Sequence, residues 1–301
     1  MTRIARGDIV DSETHTGSRG APVLSVVAPA HNERDNIRAL VDEVERALAG
    51  VVDFEFVIVD DGSTDDTQAV IREMMRDRSW LRCVVMRETP TARGVAGGGG
   101  GGQSAAFHAA FRACRGERIA VLDADLQNDP ADIPRLLRLM DETKADVVQG
   151  DRSHARKDNV VRRVGSIVGR SFRRWLLGDT IRDTGCSLRV MRREVALKLP
   201  LEFKGMHRFI PVTARHLGYT VVETRVTHRA RMAGETKYGM GIVQRALPGL
   251  IDLFAVRYMR SRRRPVSAVE VGGGDSSAAA EESRSIEAKG HAAGAASGGV
   301  R

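Results

Sequence analysis

Short apolar segments that alternate with helix-like segments are the feature that most restricts the fold of this chain. The apolar segments occupy residues 23–28, 54–59, 81–86 and 118–122. Between them, apolar residues recur three and four positions apart, as on one face of a helix. Continuous apolar strands are typical of parallel sheets that are covered on both faces. The sequence therefore predicts an α/β fold with a mostly parallel sheet flanked by helices.

The same periodicities predict the remaining elements. Helices are predicted at residues 34–49, 65–77, 103–115, 131–142, 160–177 and 206–217, and further strands at 146–148 and 219–226. Beyond residue 150 the regular alternation loosens, so the second half of the sheet is predicted in less detail than the first.

Two aspartates follow the fourth apolar segment. Asp123 and Asp125 flank Ala124 directly after that segment, and Glu33 and Asp60-Asp61 follow two other strands. Open α/β sheets bind ligands at the carboxyl edge of their strands. Mg²⁺ or Mn²⁺ takes oxygen ligands, often one or two carboxylates together with substrate phosphates. We therefore expect these acidic residues to share one cleft and to hold a metal against a phosphorylated ligand.

The charge balance restricts the partners. The chain has 301 residues, of which 47 are basic and 39 acidic, and its formal charge is +8. This excess suits an anionic partner, such as a phosphorylated substrate or an anionic membrane surface. Aromatic residues make up 4% of the chain, and no stacking motif accompanies the basic residues. Nucleic acid is therefore not predicted as a partner.

Cysteine usage and hydropathy indicate the compartment. The three cysteines, Cys83, Cys114 and Cys186, are too scattered for a disulfide framework, which favours the reducing cytosol. Residues 1–20 lack the apolar centre of a signal peptide. No apolar stretch reaches the ~20 residues of a membrane-spanning helix. We expect a cytoplasmic protein without a transmembrane helix.

Four motifs resemble those of a known enzyme family. They are Pro29-Ala30-His31-Asn32-Glu33, Val59-Asp60-Asp61-Gly62-Ser63, Gly102-Gln103-Ser104 and Asp123-Ala124-Asp125-Leu126-Gln127. In order and spacing they resemble the family-2 glycosyltransferases, which have the GT-A (Rossmann-like) fold. Three further motifs resemble the polyprenyl-phosphate, dolichol-phosphate mannosyltransferase-like branch of that family. They are Asp183-Thr184-Gly185-Cys186, Gly205-Met206-His207-Arg208-Phe209 and His228-Arg229-Ala230-Arg231, the last continuing through Gly234-Glu235-Thr236-Lys237-Tyr238-Gly239.

The resemblance implies a nucleotide-sugar site in the first half of the chain. The residues that would line the nucleobase and ribose pocket are Pro29, His31, Glu33, Ile58 and Asp60. Asp125 and Gln127 would hold Mg²⁺ or Mn²⁺. Asp123 would lie on the metal or the ribose, with Ala124 beside the substrate. The metal would neutralise the diphosphate leaving group.

A phosphate acceptor determines what the second half of the site must provide. A sugar hydroxyl needs a general base, whereas a lipid phosphate is already anionic and needs positive charge for positioning. Arginine suits this task because its planar fork binds phosphate oxygens in pairs. By resemblance, the phosphate-binding candidates are Arg152, Arg163 (or Arg162), Arg231 and Lys237, together with His207 and Arg208.

The chain departs from the family at residues 97–102. Six glycines stand where the family has a short loop with an asparagine. The run has neither the G-x-G-x-x-G order nor the lysine of a phosphate-binding loop. We interpret it as a flexible, expanded loop, which would loosen that edge of the nucleotide pocket.

Four regions follow from these patterns. A disordered arm is predicted at residues 1–20, the GT-A domain at 21–240, an amphipathic, polybasic segment at 241–265 and a disordered tail at 266–301. The third region combines apolar residues with five arginines between positions 257 and 264, a composition that suits a juxtamembrane helix on anionic lipid. We expect a peripheral protein on the cytoplasmic face of a membrane, with a separate integral-membrane protein as a candidate partner.

Three hypotheses for the function follow. The first is an inverting, metal-dependent transfer of a hexose-type sugar to a polyprenyl phosphate, with GDP-mannose as the favoured donor and UDP-glucose as the second. The second is transfer to a sugar hydroxyl in polysaccharide assembly, for which Asp183 is the candidate base. The third is a non-catalytic membrane partner whose donor loop is disrupted by the glycine run.

Overall fold

The computed structural model describes residues 21–87, 101–154, 160–229 and 242–264, with the backbone alone described for 160–168 and 242–248. The predicted arm at 1–20, the predicted tail at 266–301 and the glycines at 97–100 lie outside the described residues.

The described strands form one seven-stranded sheet. They are β1 (Leu24–Ala30), β2 (Phe54–Asp60), β3 (Leu81–Val85), β4 (Arg118–Val121), β5 (Val147–Asp151), β6 (Arg189–Arg192) and β7 (Val221–Arg225). Their order in the sheet is β3-β2-β1-β4-β6-β5-β7. The neighbouring pairs are parallel except where β6 runs antiparallel to both β4 and β5. The predicted mostly parallel α/β sheet is confirmed.

The sequence did not predict β6. This strand is only four residues long and has an arginine at each end, so it lacks the continuous apolar run that marked the other strands. Its first residue, Arg189, is nevertheless 3% exposed. Pairing with strands on both sides, rather than the local sequence, places an arginine inside the sheet.

The described helices cover both faces of the sheet. They are α1 (Arg34–Leu48), α2 (Thr67–Met74), α3 (Gly102–Ala113), α4 (Ile133–Thr143), α5 (Val160–Leu177), α6 (Arg193–Leu197), α7 (Ile210–His216) and α8 (Ile242–Arg262). Side chains alternate along β1, so that Val26 joins a core with α1 and α4 whereas Val27 joins one with α3 and α7. Burial on both faces explains the continuous apolar strands.

Most predicted helices are present with shifted ends. The helix predicted at 160–177 has those bounds as α5. The helix predicted at 206–217 is instead a 3-10 turn, Met206–Phe209, followed by α7. Pro211 lies in the first turn of α7, where its missing N–H has no partner to lose, and so it favours a new helix start over a continuous helix.

The last described helix, α8, packs against α5. The rings of Phe172 and Phe254 meet edge to face with centroids 6.3 Å apart, and Val256 is buried against the rest of the core. None of the helices described by the structure is long and apolar enough to cross a membrane.

Candidate active site

The candidate site lies at the carboxyl edge of β1, β2 and β4. β1 and β2 are paired in register as far as Ala30 and Asp60, so the loops that follow them leave the sheet side by side. β4 pairs with the other side of β1, and the segment with Asp123 and Asp125 follows it. The three acidic loops are therefore neighbours.

Hydrogen bonds tie the loop after β1 to the loop after β2. His31 Nδ1 lies 2.8 Å from the carbonyl oxygen of Asp61. Asn32 has a φ of 54°, in the left-handed region, and its Oδ1 accepts a 2.7 Å hydrogen bond from the backbone N–H of Thr64. His31 and Glu33, which were predicted to line the nucleotide-sugar pocket, thus lie on either side of Asn32. The left-handed backbone of Asn32 is fixed by the hydrogen bond from Thr64.

The two aspartates at the end of β2 have different surroundings. Asp60 is 3% exposed, and its Oδ1 accepts a 3.1 Å hydrogen bond from Ser63 N. Asp61 Oδ2 accepts a 3.0 Å hydrogen bond from Gly102 N, whereas its buried Oδ1 has no hydrogen-bond partner among the described residues. Burial raises the pKa of Asp61 above its ordinary value. Asp60 shapes its own loop, and Asp61 ties the end of β2 to the start of α3.

Replacing Asp61 by asparagine should stabilise the fold at neutral pH. A carboxyl group with a raised folded-state pKa contributes less stability as the pH rises above its unfolded pKa, so the ionised form opposes folding near neutrality. The amide removes that charge, and the gain should vanish at about pH 3, where the aspartate is protonated in both states. Thermal unfolding at both pH values measures the gain. An unchanged unfolding temperature at neutral pH would contradict the prediction.

Gly102 starts α3 with a backbone that favours glycine. Its φ is +78°, its N–H is the donor to Asp61, and Gly101 precedes it as the N-cap of α3. These two glycines are therefore the ordered start of a helix and not part of a flexible loop, as predicted for 97–102. The remaining glycines of the run are outside the described residues.

Replacing Gly102 by alanine should destabilise the protein by about 1 kcal/mol, because a left-handed backbone is strained for a residue with Cβ. A Cβ there would meet no atom within 4 Å, so the loss isolates the backbone term. Gly169→Ala is the matched control, because Gly169 lies inside α5 with equally open space and without a positive φ. It should be neutral or stabilising. Urea unfolding of both variants measures the difference, and equal effects would contradict it.

The loop after β4 holds two carboxylates in different hydrogen-bond environments. Asp123 accepts from Gln103 Nε2 at 3.1 Å and from Ser187 Oγ at 2.6 Å. Asp125 is 8% exposed, and its Oδ1 accepts from the backbone N–H of Gln127 at 3.1 Å. Asp123 is thus fixed by two side chains from other elements, and Asp125 is bonded to the backbone of its own loop.

The chemistry of this pair fits a divalent cation. Burial raises the pKa of Asp123, and the charge of Asp125 adds to the rise; a bound cation would offset both. The two carboxylates and the amide oxygen of Gln127 are oxygen ligands of the kind that Mg²⁺ and Mn²⁺ prefer. Within the described ranges no group of three or more His, Cys, Asp or Glu side chains could hold a metal. Where one or two carboxylates bind Mg²⁺, waters and substrate phosphates commonly supply the other ligands.

Arg152 is held beside this pair by Asp183. Its Nε donates to Asp183 Oδ2 at 3.0 Å, and its Nη2 donates to the carbonyl oxygen of Gly185. The other oxygen of Asp183 accepts from Gly185 N at 3.1 Å. The positive charge of Arg152 acts to lower the pKa of Asp123. Asp183 therefore fixes the guanidinium group of Arg152 close to Asp123.

Arg189 is a buried cation beneath the same carboxylates. Its Nε and Nη2 donate to the carbonyl oxygens of Ser187 and Cys186, at 3.1 and 2.5 Å. Its buried Nη1 has no hydrogen-bond partner in the part of the chain that the structure describes. Burial lowers the pKa of Arg189 to about 10, which leaves it charged at neutral pH, and the charge of Asp123 opposes that shift. Arg189 thus balances negative charge at the base of the site.

His207 and Arg208 have separate environments. His207 Nδ1 lies 2.8 Å from Ser104 Oγ, and the same oxygen accepts from His207 N at 3.2 Å. Burial lowers the pKa of His207 to about 4, so the ring is neutral at pH 7. Arg208 forms a 3.5 Å ion pair with Asp252 of α8. His207 adjoins the site through Ser104, and Arg208 faces α8.

The other predicted residues fall into two groups. Pro29 is half-buried in β1 opposite Val59, while Ile58 and Ala124 lie in the core, with 0% and 4% of their surface exposed. Because Ile58 and Ala124 are buried, they can support the residues that line a pocket but cannot line it themselves. Arg231 and Lys237 lie outside the described residues, and the same holds for the side chains of Arg162 and Arg163, whose backbone belongs to α5.

Comparison with known sequences identifies the family. The sequence profile of "Glycosyl transferase family 2" matches residues 25–199, more than half of the chain. The chain belongs to glycosyltransferase family 2.

Curated members of glycosyltransferase family 2 are similar over most of this chain. The dodecaprenyl-phosphate galacturonate synthase of Rhizobium johnstonii is 32% identical over 247 residues, which cover 80% of this chain and 69% of the relative. The undecaprenyl-phosphate 4-deoxy-4-formamido-L-arabinose transferase of Edwardsiella ictaluri is 34% identical over 219 residues, which cover 72% of this chain and 63% of the relative. The chain thus spans roughly two thirds of the length of these relatives.

Solved structures confirm the GT-A fold of this family-2 chain. A mannosyltransferase from Pyrobaculum calidifontis, in complex with GDP-Man and Mn²⁺, has a TM-score of 0.55 at 19% identity. The superposition covers 82% of this chain and 66% of the mannosyltransferase chain. Glucosyl-3-phosphoglycerate synthase from Mycobacterium tuberculosis, in complex with phosphoglyceric acid, has a TM-score of 0.56 at 22% identity and covers 83% of both chains. At such identities the likeness concerns the fold alone.

Sequence reasoning missed residues of this family-2 site that act through tertiary contacts. Gln103 and Ser187 hold Asp123, and Arg189 is buried close to it. Gln103 belonged to one of the family motifs but was given no role. Arg189 had only a weak signal, as an arginine directly before an apolar pair. Ser187 had none, because its role depends on β6 lying next to β4.

Proposed function

We propose that this chain transfers a sugar from a nucleotide-sugar donor to a polyprenyl phosphate, with inversion at the anomeric carbon and with a divalent cation. The observation that carries the proposal is the Arg152–Asp183 pair beside Asp123 and Asp125. Asp123 and Asp125 would hold the divalent cation that binds the donor diphosphate. The fixed guanidinium group of Arg152 would bind an anionic acceptor. The polyprenyl-phosphate transferases that are 32–34% identical support the same acceptor class.

The donor would bind across the loops after β1 and β2. Pro29, His31, Glu33 and Asp60 would surround the nucleobase and ribose, and Asp61 would hold the start of α3 beside them. Asp125, Asp123 and Gln127 would hold the cation. That cation, when bound, would neutralise the charge that develops on the diphosphate as the sugar leaves. Gln103 and Ser187 would keep Asp123 in place throughout.

The acceptor would approach from the side of Arg152. A phosphate monoester is anionic near neutral pH, so it attacks without losing a proton to the protein, and the chain need only position it. Arg152 is preorganised for this because Asp183 and Gly185 fix its guanidinium. Arg163, Arg231 and Lys237 are proposed as further phosphate ligands by resemblance. His207 would contribute a neutral N–H donor.

The use of Asp183 argues against the hydroxyl-acceptor alternative. A general base needs a free carboxylate oxygen aimed at the acceptor proton. Both oxygens of Asp183 accept hydrogen bonds, from Arg152 and Gly185, and its side chain is 6% exposed. This arrangement suits a residue that positions Arg152.

The donor sugar is to be found by direct assay. GDP-mannose remains the first candidate and UDP-glucose the second, and the two curated relatives are named for other sugars. The assay follows radiolabel from GDP-mannose, UDP-glucose and UDP-galacturonate into organic-extractable polyprenyl phosphate, with Mn²⁺, Mg²⁺ or EDTA. We expect label from one donor and its loss with EDTA. No label from any donor, with folded protein, would overturn the proposal.

An Asp183→Asn variant separates the two acceptor classes. If Asp183 positions Arg152, the variant should mainly weaken the apparent affinity for polyprenyl phosphate, because the neutral amide holds the guanidinium less firmly. If it is a general base, turnover should be abolished with acceptor affinity unchanged. The matched control is Asp141→Asn. Asp141 is an exposed residue of α4 whose carboxylate pairs with Arg118, so this substitution should change neither parameter.

The reaction is proposed to take place at the cytoplasmic face of a membrane, where a polyprenyl phosphate would be anchored. The exposed apolar side chains and the arginines of α8 support contact with an anionic membrane surface. A separate integral-membrane partner remains part of this proposal and is tested by recovery of the protein with membranes.

A further inference from the structure

A cavity lies beside the end of α5. Its volume is about 270 Å³, and it is formed by the last turns of α5 and the segment that follows that helix. The residues that line it are Arg170, Ser171, Arg174, Asp179, Ile181 and Arg182. None of them was assigned to donor, metal or acceptor.

The cavity carries an excess of positive charge. Arg170, Arg174 and Arg182 form no ion pair with a carboxylate that the structure describes. The one acid of the lining, Asp179, is already neutralised, because its Oδ2 accepts from Arg173 Nε at 2.5 Å and its Oδ1 from Ile181 N at 2.9 Å. Three uncompensated guanidinium groups therefore surround the space.

The spacing of these arginines points to an anionic ligand. Arg170 and Arg174 are four residues apart on α5 and so lie one turn above the other, where like charges repel. A bound anion would relieve that repulsion. Guanidinium groups bind phosphate oxygens through paired N–H donors, and the hydroxyl of Ser171 adds a further donor. A space of about 270 Å³ suits a phosphate with a small headgroup better than a complete sugar nucleotide.

An exposed apolar surface begins next to this cavity. Trp175 follows Arg174 and is 76% exposed, and Ile251, Phe254 and Tyr258 of α8 are 60%, 52% and 62% exposed. We call these four residues the aromatic face. Phe172 joins its two helices, with ring centroids 5.6 Å from Trp175 and 6.3 Å from Phe254.

The aromatic face is bordered by arginines. The exposed arginines at the end of α8 are Arg257, Arg260, Arg262, Arg263 and Arg264. Contiguous exposed apolar surface is uncommon on soluble monomers and marks interaction sites. Tryptophan and tyrosine with flanking arginines are typical of surfaces that lie in the headgroup region of a bilayer. The charge of the border suits an anionic bilayer and opposes a second copy of the same basic surface.

We propose that the cavity binds the phosphate of an anionic membrane lipid while the aromatic face inserts at the bilayer surface. Arg170, Arg174 and Arg182 hold the phosphate, and Trp175 lies beside the glycerol region of the same lipid. This lipid is a docking ligand and not the sugar acceptor. The proposal does not depend on the proposed transfer reaction, so binding can be tested without turnover.

The test measures binding to vesicles of phosphatidylcholine, with and without phosphatidylglycerol. Arg170→Gln/Arg174→Gln should weaken binding to the phosphatidylglycerol vesicles about thirtyfold, the loss expected for two basic residues at an anionic surface. The matched control is Arg46→Gln/Arg76→Gln, which removes the same charge from two exposed arginines outside the cavity. It should change binding much less. Equal losses in the two variants would overturn the cavity as a site.

Two further arms decide the ligand and the orientation. Trp80 and Trp175 are the two tryptophans, so a Trp80→Phe protein reports on Trp175 alone, and its emission should shift to the blue with anionic vesicles. No shift would overturn insertion of the aromatic face. Glycerol 3-phosphate tests a free phosphate as the ligand: tight binding that needs Arg170 and Arg174, without vesicle binding, would overturn the lipid. Arg182→Gln, outside the helices, repeats the test should the double variant unfold.

Discussion

Replacing Asp125 by asparagine should reduce sugar transfer about a thousandfold, or by about 4 kcal/mol in the activation free energy. Asp125 is 8% exposed and is held by its own loop at the carboxyl edge of the sheet. The amide keeps the size of the side chain but removes the charge that would bind the cation, and the loss of metal-assisted charge neutralisation is worth several kcal/mol. The rate is measured as label transferred into polyprenyl phosphate at saturating donor.

A matched substitution and a second readout make this prediction specific. Asp141→Asn, already introduced as a control, should retain the full rate. Titration of Mn²⁺ in the presence of a nucleoside diphosphate should show weakened metal binding for Asp125→Asn and unchanged binding for Asp141→Asn. A variant at Asp125 that transfers sugar at the normal rate, or binds Mn²⁺ normally, would remove Asp125 from the metal site.

Replacing Glu55 by alanine should lower the free energy of unfolding by about 3 kcal/mol. Glu55 is 4% exposed and lies near the start of β2, at the opposite edge of the sheet from the candidate site. Its carboxylate accepts from Ser25 Oγ at 2.7 Å, from Arg115 N at 2.6 Å and from Arg82 Nη1 at 2.6 Å. Alanine leaves those donors without their acceptor. Urea unfolding at neutral pH measures the loss.

The acid dependence of the same group gives an independent check. Burial acts to raise the pKa of Glu55, but hydrogen bonds from Arg115, Ser25 and Arg82 outweigh it and lower the pKa. A lowered pKa gives stability that is present above the unfolded value and is lost as the pH falls through the folded one. The wild type should therefore lose this stability in acid, and Glu55→Ala should lose less. Glu73→Ala, which removes an exposed partner of Arg38, should cost no more than about 0.5 kcal/mol.

The strands and their acidic ends could be predicted because a buried strand consists of a short run of apolar residues, which is visible in the sequence itself. β1, β2 and β4 are mostly apolar because helices cover both faces of the sheet. Asp123 and Asp125 stand out because they follow such an apolar run directly. The α5 helix was predicted with its observed bounds from apolar spacing alone. These features depend on neighbours along the chain.

The features that were not predicted depend on neighbours in space. β6 begins with Arg189, whose burial makes sense only once β4 and β5 lie on either side of it. The roles of Asp60 and Asp61 could not be separated in sequence, because they differ by which one meets Ser63 and which one meets Gly102. Gly102 was assigned to a flexible loop because a run of glycines does not show where a helix begins. Its place at the start of α3 depends on its positive φ and on its hydrogen bond to Asp61.

The position of β6 in the sheet has a consequence for the order in which the chain assembles as it leaves the ribosome. β3, β2, β1 and β4 are mutual neighbours and are all synthesised by residue 121, so the nucleotide half can pair while the rest is still being made. β4 and β5 are joined only through β6, and no pairing across that gap is possible before residues 189–192 emerge. Ser187 and Arg189 arrive in the same interval. We expect the carboxylate pair to gain its surroundings late in synthesis, so that nascent chains halted before β6 have a nucleotide half without a finished site.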